Sequence, residues 1–409
     1  MNNLPNRFYY YLFGIFLYSS LIVGFIFSEN LTGGAQNDYL AHKEIALKFS
    51  TSFLETLLNF DRESTRHSPI MLIFFSFFEK IGLSDSTIRL INLHFLLLII
   101  FFFFKCLKIK FRNYDNKILY LISFLLFLSP TFRSLSIWPD SRLHGLLYFI
   151  VSIYFFLNFK NEKNKIIKFR FALLNTFFLC LASYFSPNFC LFVFFFLFHY
   201  FNAYKVSKSF LIIILLNIFL SLPAIYYVFF LKIFFFLTPV SGYGKNFVAL
   251  NPANKIILIS SIFLFHYFPF FFVTKNKYTI QIKYLIILTS IFLILIYFFN
   301  YQTNFTGGGI IYKLSNIIFD NNYFVYFLSF LGFLLIFNLS YKNLNNFLII
   351  FLIIISNPQL EIYHKYYEPF LLIIFFTLFN FNFNRLILKK RIMIFYSYNL
   401  FFLIANFLR

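Results

Sequence analysis

The chain has 409 residues, of which 60% are hydrophobic and 12% charged, with 73 Phe and a mean hydropathy of +0.77. A soluble domain is about 45–50% apolar and about a quarter charged, and a disordered chain is polar and poor in aromatics, so both classes are excluded. The net charge of +21 would otherwise suggest a nucleic-acid partner, but in a membrane protein it must first be read by position, because cytoplasmic loops collect Lys and Arg.

A membrane-crossing helix needs about 20 mostly apolar residues. On that rule the sequence predicts an all-α, polytopic membrane protein with about thirteen spans, at 8–28, 88–104, 118–132, 143–158, 171–185, 188–203, 209–236, 256–273, 284–300, 323–340, 345–356, 367–383 and 392–408. The first run is too long for a signal-peptide core and lacks a cleavage site, so it reads as a retained span. Residues 69–83 (PIMLIFFSFFEKIGL) are apolar but short and carry Glu79 and Lys80, which predicts a re-entrant or interfacial helix. The whole of 1–409 reads as one transmembrane domain without a separate soluble domain. Cys106, Cys180 and Cys190 form no CxxC pair and suggest neither a zinc site nor a disulfide framework.

With the N-terminus inside, the inner segments hold 21 of the 35 basic residues and only two acids, Asp115 and Glu162. Every short inner loop then obeys the positive-inside rule, and a crossing at 69–83 would turn the basic clusters outward. The positive charge is a topological signal and calls for no nucleic acid. The inner loops have no Gly-rich phosphate loop, whereas twelve of the 14 carboxylates fall outside, so the functional face is expected there.

Along the outer side, Gly33 and Gly34 precede Asp38, and Tyr39, His42, Ile45, Ala46, Phe49 and Phe53 come after it at helical spacing. Asp38 falls at the helix start, where a carboxylate can serve simply as an N-cap. His67, Ser68 and Pro69 open the next helix, and His67 can be read as a plain interfacial residue. The turn RSLSIWPDSRLHG holds Trp138, read as a membrane anchor, with Asp140 and Arg142 as either a solvated pair or a site. Gly307–Gly309 mark a close backbone approach or a flexible loop. The segment EIYHKYYEP puts Glu361, His364, Lys365, Tyr366, Tyr367 and Glu368 at the mouth of a span, where aromatic belts account for tyrosines but not for charges. His94, His199 and His266, isolated within spans, read as packing or hydrogen-bonding residues.

A first span, a long outer loop with an early Asp38, a helix opened by His67-Ser68-Pro69, and the stretch SDSTIRL (84–90) together resemble GT-C glycosyltransferases that use polyprenyl-phosphate sugars. The stretch 129–157, the helical pair 171–203 broken at Ser186-Pro187, and KYYEP before the penultimate span are similar too. The resemblance implies a GT-C-like fold with juxtamembrane helices in the first outer loop. It also implies transfer of a sugar from a polyprenyl-phosphate donor to a lipid-linked glycan, lipopolysaccharide or other envelope acceptor, at the outer face of a bacterial inner membrane. Under it Asp38 is the general base that takes the acceptor's proton. Arg133, Arg142 and Lys365 are the candidates to balance the departing phosphate, with His67, Asp140, His364, Tyr367 and Glu368 lining the substrate site. Direct displacement would invert the anomeric centre. A divalent cation, Mg or Mn, is the cofactor such chemistry admits, although the first loop has no DxD.

Two rivals stand beside this reading. An O-antigen-type polysaccharide polymerase or ligase would lean on outer Arg and His residues. A lipid-glycan flippase or transporter would bind near the midplane on broken helices and show an internal repeat, and none is found.

Overall fold

The structure is a computed structural model that describes residues 4–32, 34–63, 68–229, 251–275, 278–302, 307–357, 361–383 and 385–408. Among the described residues all regular elements are helical, and Thr274 and Phe383 make an isolated bridge. The chain divides into two compact units, Met1–Gly242 with Ile392–Arg409, and Tyr243–Arg391.

Unit one contains α1 (Leu4–Ile26), α2 (Ala35–Thr51), α3 (Phe53–Leu58), α4 (Pro69–Lys80), α5 (Asp85–Leu96), α6 (Leu98–Lys110), α7 (Asn116–Phe124), α8 (Pro130–Ile137), α9 (Ser141–Asn161), α10 (Lys165–Phe185), α11 (Val193–Tyr204) and α12 (Lys208–Phe229). In so apolar a chain the few polar residues punctuate the helices. Side chains of Ser68, Ser84, Asp115, Ser129, Asp140 and Asn164 accept backbone N–H groups at the starts of α4, α5, α7, α8, α9 and α10. α9 is the buried spine, packed on α10 and α6. α2 lies on α4 through Ile45, Phe49, Phe60 and Leu72, and beside them Ala46, Met71, Phe75 and Ile88 meet Phe185. Burying each such side chain contributes about 1.5–3 kcal/mol. The expected face of α2 is therefore the one that packs, except Phe53, which starts α3 and is exposed.

Unit two contains α13 (Pro252–Tyr267), α14 (Ile282–Tyr297), α15 (Gly309–Phe319), α16 (Tyr323–Ser340), α17 (Leu344–Ile355) and α18 (Phe370–Thr377), while α19 (Arg385–Phe407) begins in this unit and ends in unit one. α13 and α16 approach closely because Gly332 lies under Ser260: a Cβ at Gly332 would sit 2.1 Å from the Ser260 carbonyl oxygen. Small residues at such a crossing let helices pack where no hydrophobic effect drives them together.

Seven helices among the described residues are long and apolar enough to cross a membrane, or eight if the bent pair 116–128 and 130–137 counts as one span. That is fewer than thirteen. The apolar run 188–203 divides into a 3-10 turn at Pro187–Phe192 and the 12-residue α11, because Pro187 breaks the preceding helix. α17 and α18 have only 12 and 8 residues, and the segment 301–322, read as a loop, contains the 11-residue α15. The basic cluster 385–391, also read as a loop, forms the first turns of α19, since Lys and Arg are good helix formers and nothing there breaks the helix. α12 leaves Leu211, Leu215, Ile218, Phe219 and Leu222 exposed, an apolar face suited to lipid.

Candidate functional site

In unit one, four stretches of sequence meet in a polar layer: the loop 29–32, the first turns of α2 and α5, and the segment 133–144. Ser134 Oγ accepts from the backbone N–H of Leu31 at 2.8 Å and of Thr32 at 3.3 Å, which ties the loop down onto α8. Trp138 Nε1 donates to the Glu29 carbonyl oxygen at 3.0 Å. Trp138 is thus buried in the layer and does not anchor at a membrane surface, because its one polar atom finds its partner inside.

Asp38 stands half-buried in the first turn of α2. The N-cap is Gly34, which has no side chain to cap with, and Asp38 N–H already donates to the Gly34 carbonyl. The capping role is therefore overturned: Asp38 lies one turn too far along the helix. Its neighbour Tyr39 is buried and donates to Asp85 Oδ1 at 2.8 Å, while Lys43 reaches the same oxygen at 2.9 Å. Burial, and then the Asp85 carboxylate, push the Tyr39 hydroxyl far above its ordinary range, so it stays protonated. α2 and α5 are thus joined by a Tyr–Asp–Lys cluster beside Asp38.

Arg133 and Glu29 form a closed pair, with side-chain exposures of 4% and 3%. Arg133 Nε donates to Glu29 Oε1 at 2.7 Å and Nη2 to Oε2 at 2.6 Å, in a bidentate fork. Nη1 donates to Ser20 Oγ and the Phe127 carbonyl, and Nη2 also to the Ser20 carbonyl. All five N–H donors of the guanidinium are engaged.

Asp140 is fully buried and caps α9 through the Arg142 backbone N–H at 2.7 Å, while Arg142 Nη1 lies 3.9 Å from its other oxygen. The pair is not simply solvated. Arg89, inside the SDSTIRL stretch but not singled out as a site residue, lays its guanidinium 3.5 Å over the Trp138 ring and donates from Nε to the Ile137 carbonyl. Asn92 lies one turn further on, donating to the Ser136 carbonyl and bonded to His144 at 2.7 Å. A charged residue one position inside the expected span 88–104 was the available sign of Arg89. Asp85 and Lys43 gave no such sign. His67 lies outside the described residues.

Unit two holds a second polar cluster, around the 361–368 turn. His364 bonds His266 at 2.9 Å between their Nε2 atoms, and burial, reinforced by the Lys313 charge, depresses the His364 imidazole to about 3. Tyr363 donates to the Glu361 carboxylate, Lys365 lies 5.4 Å from the Tyr363 ring, and Glu361, Tyr366, Tyr367 and Glu368 are all buried. The tyrosines at 366 and 367 therefore pack inside rather than form an aromatic belt. Gly308 N–H donates to the Ile362 carbonyl at 2.8 Å, and a Cβ at Gly307, where φ is +100°, would sit 2.9 Å from that oxygen. Of the two readings of the glycine run, the close backbone approach is the one realised.

Glu29 is committed to Arg133, Asp85 to Lys43 and Tyr39, and no group of three or more His, Cys, Asp or Glu among the described residues could hold a metal. Comparison with protein-family models, curated proteins and solved structures finds no match to this chain.

Proposed function

We propose that this chain is a GT-C-type membrane glycosyltransferase, transferring a sugar from a polyprenyl-phosphate donor to a hydroxyl of a lipid-linked glycan, lipopolysaccharide or other envelope acceptor at the periplasmic face of a bacterial inner membrane. The observation that supports the reading is Asp38. It is a half-buried carboxylate in the first turn of α2 rather than at its N-cap, beside a polar layer assembled from the first loop, SDSTIRL and WPDSRL, the segments that carry the resemblance.

In this reaction the acceptor O–H attacks the anomeric carbon as its proton passes to the Asp38 carboxylate. The bond between that carbon and the phosphate oxygen breaks, its electrons leave with polyprenyl phosphate, and the configuration inverts. Arg142, at the start of α9, supplies positive charge toward the departing phosphate. Arg133 has no donor left to give, so within unit one the role passes to other cations.

The test is transfer by purified protein from a panel of polyprenyl-phosphate sugars. Asp38→Asn keeps the size of the side chain, and because Gly34 is the cap it costs the helix only the first-turn charge, about 0.3–1 kcal/mol. Turnover should fall by roughly 10²–10⁴-fold while melting temperature barely moves. Near-normal turnover in a folded Asp38→Asn protein removes the base assignment, and no transfer from any such donor by the unmodified chain removes the glycosyltransferase reading.

A further inference from the structure

Unit one contains two buried arginines in opposite chemical states. Arg133 has every donor engaged, whereas Arg89, 8% exposed, uses only Nε, on the Ile137 carbonyl at 3.0 Å. Among the described residues its terminal nitrogens make no hydrogen bond and no ion pair, and Nη2 is buried without a partner. The carboxylate four residues earlier, Asp85, is occupied by Lys43 and Tyr39. A buried cation in this condition is costly unless a partner arrives, and buried donors left open in a folded protein take water or a ligand.

We propose that Arg89 is a ligand-binding residue whose terminal nitrogens receive the oxygens of a lipid-borne phosphate ester. Resting on the function above, that ester is the phosphate of the polyprenyl donor. Three features point to this chemistry. The guanidinium is held in place, with its face on Trp138 at 3.5 Å and Phe25 at 5.2 Å and its Nε fixed, so a planar fork is presented at little entropic cost. Such a fork matches two oxygens of a phosphate. Arg89 also lies in the second turn of the 26-residue apolar stretch Asp85–Lys110, the depth at which a lipid headgroup meets a membrane-crossing helix. Finally, Asn30 Oδ1, Thr32 Oγ1 and Ser136 Oγ, on the loop and segment that meet at Trp138, are likewise buried without partners, offering further polar groups to a headgroup rich in oxygens.

Trp138 is the chain's single tryptophan, so its fluorescence reports on this site in the unmodified protein. Titrating purified protein with a short-chain polyprenyl monophosphate, without sugar or acceptor, should shift or quench Trp138 emission saturably. The matching polyprenol, inorganic phosphate and phosphatidylglycerol should not. Arg89→Gln should weaken binding, read by native mass spectrometry, by about tenfold or more, and Arg89→Lys, which keeps the charge and loses the fork, should fall between. If Arg89→Gln does not fold, the emission titration of the unmodified protein still decides. No phosphate-dependent change at Trp138, or unaltered affinity in a folded Arg89→Gln protein, overturns the proposal and leaves water as the partner. An equal response to inorganic phosphate or phosphatidylglycerol overturns the polyprenyl assignment. Because the assay contains no sugar, a protein that binds but never transfers defeats the glycosyltransferase reading alone, and one that transfers without a Trp138 response defeats only this inference.

Discussion

Five donors fix what a guanidinium can do, and in Arg133 all five are committed to Glu29, Ser20 and Phe127. Removing one partner of so buried a pair strands the other, which typically costs about 3–5 kcal/mol. Arg133→Gln should therefore lower stability by about that amount, measured by thermal denaturation in detergent. Replacing both partners by apolar residues, Arg133→Met with Glu29→Leu, should recover most of the loss. A Gln variant as stable as the parent would show that the pair contributes nothing. Sequence alone could not separate this residue from Arg89, because both appear as lone cations in apolar surroundings. The difference lies in Glu29, more than a hundred positions from Arg133, and only folding brings it near. Asp38 was legible as an isolated carboxylate beyond the first span. That it is no cap required the helix to begin at Gly34.

Among the elements, the turn at 361–368 shows how much a short segment can hold once a glycine run lies under it. Gly307 and Gly308, both at positive φ, bring backbone against Ile362, and the turn buries His364 against His266. The motif was visible in the sequence as a dense polar run. Its burial was not, since the covering α15 sits in a stretch read as loop, its apolar residues split by Lys313, Ser315 and Asn316. The His364 imidazole is held near 3 by burial, below its ordinary 6.5, so the folded turn refuses a proton that the unfolded chain accepts. Its contribution to stability is then complete above about pH 6.5 and declines as pH falls from there toward 3. Melting temperatures in detergent at pH 7.5 and 5 should differ, the lower pH being less stable. His364→Gln, which can still bond His266 but does not titrate, should narrow that gap. An unchanged gap would place the acid sensitivity elsewhere.

At the scale of the whole molecule, the sidedness of the helices depends on a few elements whose length hydropathy alone misjudged. Apolar composition is so uniform in this chain that the expected span 118–132 runs through the break at Pro130, where the capping Ser129 and the missing N–H end one helix and start another. α4, with 12 residues, is about 18 Å long, well short of the roughly 30 Å of a bilayer's hydrocarbon core, so it should leave the sidedness of the later helices unchanged. The pair 116–128 and 130–137 is harder to place, since a bend of 66° allows either one broken crossing or a re-entrant loop. Reporter fusions separate the two. If the bent pair crosses, it and α9 make two passes between Arg112 and Arg170, and both fusions report the cytoplasm, as the clustered lysines at 105–117 and 160–170 require. If it turns back, α9 alone crosses, and the two fusions report opposite faces. A fusion after Thr65 should report the outer face. Arg112 inside with Arg170 outside would put the basic 160–170 cluster on the wrong side of the membrane. It would also move the 133–144 segment off the outer face on which Asp38 stays, and the proposed function would fall with the topology.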